Sequence, residues 1–193
     1  MGERTNRPVA LVTDDFRLYH ELAPFFETQG VQLLGLRPGE PVPEAVRVLL
    51  DGPEGDPRSV ATRNDLEATW LATLARWDPR EGPRRAVIGV DPGDTIGLAV
   101  LVDGTVYWTA QVHGVAAAVA RMAAWRNGLE PEQWALHIGD GAPDVGFALA
   151  RAARAAWPAL KVSMVSEASS TPQSAVTGSR HMDAAVRIAL RQP

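Results

Sequence analysis

Arg85-Ala-Val-Ile-Gly-Val-Asp91-Pro92-Gly93 reads as a buried strand that stops at a carboxylate. Side chains alternate along a strand, so Val87, Gly89 and Asp91 share one face while Ile88 and Val90 share the other. Gly89 has no side chain and leaves room for a second element to approach the backbone on the Asp91 face. Pro92-Gly93 then turns the chain and leaves the carboxylate at a strand end. Such a perch suits a metal ligand, and it equally suits a carboxylate that organises the turn through its own hydrogen bonds.

Downstream, Leu98 to Val102 and Thr105 to Gln111 read as two more strands joined by Asp103-Gly104, a hairpin signal, so an antiparallel meander is expected. An alanine-rich helix is predicted from Val115 to Trp125, ending near Asn127-Gly128. Trp134 to Ile138 gives a fourth strand, Pro143 to Trp157 a helix, Leu160 to Val165 a fifth strand, and Ser179 to Leu190 a last helix. The predicted order is βββαβαβα.

Upstream, Pro8 to Thr13 reads as a strand, followed by Asp14-Asp15 as N-cap chemistry for a helix carrying Phe16, Tyr19, Leu22 and Phe26. The acidic pair also resembles that of receiver domains, but capping accounts for it. Gly30 is expected to end the helix, with strands over 31–36 and 46–50 and a loop over 51–57. Residues 64–77 predict a helix capped by Asn64, with Leu66, Trp70, Leu74 and Trp77 as an apolar stripe that belongs in a core. The expected organisation is a small α/β domain over 1–60, a connecting helix and linker over 61–83, and a second α/β domain over 84–193.

The chain of 193 residues has no cysteine, which removes disulfides, thiolate zinc sites and cysteine nucleophiles. Its net charge of −4 is unevenly held: residues 1–83 sum to −5 and residues 84–193 to +1. Phosphate contacts depend on local arginines, so the second half could still meet nucleic acid. No window approaches the apolar run of about 18 residues that a membrane span needs. The polar start, Met1 to Pro8, lacks the apolar stretch of a secretory signal, so a cytoplasmic location with no membrane partner is expected.

Three further acids fall at element ends that this topology would bring near Asp91. Asp140 ends the fourth strand, Glu167 closes the fifth, and Asp183 lies in the first turn of the last helix. Singly, each has an ordinary explanation in a turn, in solvent, or in a pairing with Arg187 or the helix dipole. Together, four carboxylates would repel one another unless a divalent cation compensated them. Mg²⁺, with Mn²⁺ as a substitute, fits a cluster of hard oxygen ligands and could activate water for phosphodiester hydrolysis.

Ile88-Gly-Val-Asp-Pro-Gly93 with Thr95-Ile-Gly97 resembles the first motif of the RuvC family of Holliday junction resolvases. Val165-Ser-Glu167 is similar to the acidic segment of YqgF-type relatives, and Asp183 with Ala184-Ala185 resembles the final RuvC-type helix. The resemblance covers residues 84–193. It implies a ribonuclease H-like (RNase H-like) mixed sheet with helices, preceded by the small N-terminal α/β domain. It implies catalysis and metal binding by Asp91, by Asp140 or Glu167 as second ligand, and by Asp183. The function implied is a magnesium-dependent endonuclease cutting branched DNA in recombination or repair, working as a homodimer to match a two-fold junction. RuvC-type enzymes carry an acid or histidine three residues before the last aspartate. Here that position is Arg180, a candidate phosphate contact, and His181 lies two residues before Asp183 as a candidate helper. The departure leaves open a second reading, an inactive nucleic-acid-binding or scaffold protein, and a third, an actin- or sugar-kinase-type ATPase. His20, His113 and His137 stand isolated, and His137 reads as structural.

Overall fold

Ala10, Leu11, Leu49 and Leu50 are fully covered, and they lie on two strands that end at Val12 and Leu50, just before acidic residues, which sets the architecture of the first half. The computed structural model describes residues 8–77, 85–166 and 179–191. The chain is α/β, with five helices among the described residues, and it divides into two compact units, Met1–Arg80 and Glu81–Pro193.

In the first unit, β1 (Val9–Val12) leads into α1 (Phe16–Thr28), then β2 (Leu33–Leu36), β3 (Val48–Leu50), the two-residue β4 (Ser59–Val60) and α2 (Leu66–Trp77). The sheet order is β2-β1-β3-β4, parallel throughout. The cap expected at Asp14-Asp15 is made by Asp15, whose Oδ1 accepts from the amides of Arg17 and Leu18. At α2 the cap lies one residue later than expected: the Ala68 amide donates to Asp65 Oδ1. One sheet face is covered by both helices. There Phe26 meets Trp70 edge-to-face at 5.3 Å, and Trp70 meets Trp77 in the same way at 5.5 Å. Helix α2 therefore packs inside this unit.

Among the described residues of this unit, no helix packs on the opposite face. Ala10, Val46 and Leu49 form its buried cluster, flanked by Val12, Leu34, Leu36 and Val42. Val42 and Val46 lie on the connection from β2 to β3, so a loop takes the place that a crossover helix ordinarily fills. The connection from β3 to β4 is also irregular. It is held by Asp56, whose carboxylate accepts from Nε and Nη2 of Arg58 and is thereby lowered to about 2.

The second unit follows the expected element order: β5 (Arg85–Asp91), β6 (Ile96–Val102), β7 (Thr105–Val112), α3 (Val115–Leu129), β8 (Gln133–Gly139), α4 (Pro143–Ala156), β9 (Lys161–Val165) and α5 (Arg180–Leu190). The sheet is mixed, ordered β7-β6-β5-β8-β9, with β6 antiparallel to its neighbours and β8 and β9 parallel to β5. Helix α3 does not stop at Asn127-Gly128 but runs to Leu129, where Glu130 caps it in the left-handed region. Gly128 and Leu129 are buried, so tertiary packing overrides the local breaker signal.

Helix α5 packs on β5 and β6, forming a small-residue layer of Ala99, Ala185 and Ala189 with Leu101, Val186 and Val87. The room expected at Gly89 is used here. A Cβ on Gly89 would sit 1.9 Å from the Ala185 carbonyl oxygen, and one on Gly97 would sit 2.2 Å from that of His181. These two glycines seat α5 on the sheet. No helix among the described residues is long and apolar enough to cross a membrane.

Candidate functional site

Chemistry-bearing side chains collect where strands end, because a strand's last residue escapes the pleat while its backbone stays fixed by the ladder. Each unit has one such edge.

In the first unit, β1 and β3 are neighbours, and the connections leaving them run to opposite sides, β1 to β2 and β3 to β4. The ends of these strands carry Thr13-Asp14-Asp15 and Asp51. Asp51 has a left-handed backbone, φ 51°, and an exposed side chain, each oxygen of which accepts a hydrogen bond. The Thr62 amide donates to its Oδ1 and the Thr62 hydroxyl to its Oδ2, each at 2.8 Å. Thr62 follows β4, so this carboxylate ties the end of β3 to the end of β4 across eleven residues. Asp15 is likewise committed, to the first amides of α1. Beside this edge, Thr13, Phe16, Tyr19, His20, Leu36 and Arg37 line an open cleft of about 450 Å³, and Phe16 is 65% exposed at its rim. Sequence reading placed Asp51 at the head of a loop and missed Thr62 as its partner. The signal available was an aspartate directly after an apolar strand.

In the second unit the corresponding edge lies where β5 and β8 end and α5 begins. Asp91 Oδ2 lies 2.9 Å from His181 Nδ1, which brings the strand end and the first turn of α5 together. Asp183 is buried on the same helix turn at 7% exposure, whereas Asp140 and Arg180 are exposed. Glu167 lies outside the described residues. Among the described residues no three His, Asp or Glu side chains are grouped to hold a metal ion. Of the four expected ligands, Asp91, Asp140 and Asp183 lie within the described residues, and Asp91 is the one whose contact to another titratable side chain, His181, is seen. Strands β5 and β8 are parallel neighbours that end at Asp91 and Gly139, and α5 begins beside Asp91 through His181.

His137 faces α5 from the middle of β8. It is 3% exposed, and among the described residues its Nδ1 has no hydrogen-bond partner. Burial lowers the imidazole's pKa, the carbonyls of Ile188 and Ala189 oppose that, and the charge on Arg85 adds to it.

Comparison with known proteins corrects the functional reading. No curated protein matches the chain. Residues 8–87 match a family described as a response regulator receiver-like domain. This is not a RuvC-type or RNase H-like family. The resemblance to Holliday junction resolvases is overturned, and with it the endonuclease acting on branched DNA in recombination or repair, together with the nucleic-acid scaffold and ATPase variants. The acidic pair noted after the first strand thus lies in a receiver-like region, although Asp15 itself serves as a helix cap.

Proposed function

We propose that the first unit is a receiver-like signalling module that works without accepting a phosphoryl group. Its family match, its parallel sheet ordered β2-β1-β3-β4 and the acids at the ends of β1 and β3 support the receiver-like part. The observation that carries the rest is the double hydrogen bond from Thr62 to Asp51. A carboxylate that takes up phosphate must present an oxygen in line with the donor and share a cation with neighbouring acids. Both Asp51 oxygens are instead held by Thr62, and Asp15 is held by α1. Residues 1–80 contain no lysine to neutralise a bound phosphoryl group. The module then signals by contact, and Asp51 is a clamp on its sheet edge.

Incubating the full chain with acetyl phosphate and Mg²⁺ tests this. Intact-mass analysis is expected to show no added phosphoryl group, and an acyl phosphate on Asp51 would overturn the reading.

For the second unit, a RNase H-like arrangement is supported at the level of fold alone by its strand order, with the three-stranded meander followed by two parallel strands. That likeness carries no nuclease activity with it.

A further inference from the structure

Helix α1 uses two of its faces. Leu22 and Phe26 enter the core, while Phe16, Tyr19, Ala23 and Glu27 recur at helical spacing on a second face that lines open clefts beside β2. We propose that this groove takes an extended peptide of a partner protein, added as a strand to the outer edge of β2. The proposal names the contact by which the receiver-like module signals, and it rests on that reading.

β2 is the outermost strand of its sheet, so one side of its backbone lies outside the ladder. Successive residues of a strand between parallel neighbours turn their N–H and C=O groups to opposite sides. The Thr13 amide donates to the Leu36 carbonyl, which sets the backbone groups of Leu34 and Leu36 toward β1 and those of Leu33 and Gly35 outward. In keeping with that direction, the Leu33 carbonyl accepts from the Tyr19 hydroxyl at 3.1 Å. Gly35 is exposed, so its outward N–H and C=O can pair with an incoming strand.

Tyr19 divides the groove. Its ring lies against Gly35, 3.3 Å from where a Cβ would stand. On one side, Phe16, His20 and Arg37 join it around the cleft of about 450 Å³. On the other, Glu27, Val31 and Leu33 join it around a second cleft of about 480 Å³. One cleft borders residues 35–37 and the other residues 31–33, so their centres stand about 13 Å apart at a strand's rise per residue. Side chains at i and i+4 of an added strand share a face and span that distance.

The lining sets the chemistry of the occupant. Phe16, 65% exposed, and Tyr19 offer a ring-walled seat for an apolar side chain. At the same cleft the Arg37 guanidinium makes no ion pair among the described residues, and Glu40 turns a carboxylate oxygen back onto the Arg37 amide. An acidic residue next to the apolar one complements Arg37. Glu27 gives the second cleft the opposite sign, which suits a lysine or arginine four positions away. A helix or a bilayer brings no free backbone groups to Gly35, so an extended peptide is the occupant.

The probes are the capped heptapeptide Lys-Thr-Val-Thr-Phe-Glu-Val and its reversed sequence, one for each strand direction, titrated into the full chain. One of them is expected to bind and to slow hydrogen exchange at the Gly35 amide. Phe16→Ser and Arg37→Glu should each weaken binding about tenfold, and Arg47→Glu, outside the groove, should not change it. Gly35→Pro removes the outward donor, keeps the bonds of Leu34 and Leu36 to β1, and should also cost about tenfold. Should Gly35→Pro not fold, Phe16→Ser and Arg37→Glu decide, since both positions are exposed. Binding of neither peptide overturns the proposal, as does binding that leaves Gly35 exchange unchanged or that Arg37→Glu does not weaken. The two readings fail separately: an acyl phosphate on Asp51 would end the phosphate-free one whatever the peptides do, and absence of peptide binding would leave the acetyl phosphate result standing.

Discussion

Asp51 and Thr62 are joined by two hydrogen bonds of 2.8 Å that use both oxygens of one carboxylate and both donors of one threonine. The parallel strands they link, β3 and β4, are connected without a helix, and β4 has only two residues. Replacing Thr62 with Val keeps its shape and removes the hydroxyl bond. Denaturant unfolding is expected to show a loss of about 1 kcal/mol in the first unit, and no change would mean that the clamp is dispensable.

Trp70 is the centre of the first unit's aromatic stack, 3% exposed between Phe26 and Trp77. Trp70→Ala should cost about 3–5 kcal/mol. A double-mutant cycle of Phe26→Leu and Trp70→Leu should return a coupling of about 0.5–1.5 kcal/mol, measured by chemical denaturation.

Gly89 and Gly97 admit α5 only because they lack side chains. Both obstacles to a Cβ are backbone carbonyls, which cannot rotate away. Gly89→Ala is therefore expected to destabilise the second unit by about 1–3 kcal/mol or more, by displacing α5. Retention of wild-type stability would show that the helix can shift at little cost.

His137 is buried with its pKa lowered from 6.5, chiefly by burial. An unfolded chain frees the ring to take a proton at its ordinary pKa, so below 6.5 the unfolded state binds more protons. The corresponding stability is present above pH 6.5 and is lost as pH falls through the lowered value. Urea titrations from pH 7.5 down to about 5 should show stability falling in the wild type and falling less in His137→Leu. Equal slopes would place the effect elsewhere.

The parts of the fold written in local chemistry could be read from the sequence. Asp103-Gly104 adopts positive φ at both residues, as the hairpin signal required. The glycine at 89 foretold a close neighbour because a buried strand gains nothing from an empty position otherwise. Two features escaped. β4 was hidden because a two-residue strand has no periodicity to show, and it exists through its ladder to β3. The end of α3 was misplaced because burial of Gly128 outweighs its weak helix propensity. At the candidate site, Asp91 and His181 were each picked out, but their pairing spans ninety residues and depends on how α5 lies across the sheet. Convergence of strand ends is a property of topology, whereas convergence of carboxylates depends on rotamers and on which face each helix turn presents, so a ligand set is not legible from spacing alone.

The seating of α5 also bears on the order in which the chain can be completed. β5 and β6 are made early in the second unit, yet the helix that covers Val87, Ala99 and Leu101 is the last of its elements in the chain. During synthesis, that apolar sheet face must wait in water until α5 has left the ribosome. The second unit is thus most prone to aggregation while translation is in progress, and a chain stalled before Ser179 would carry a sticky surface that the finished chain hides.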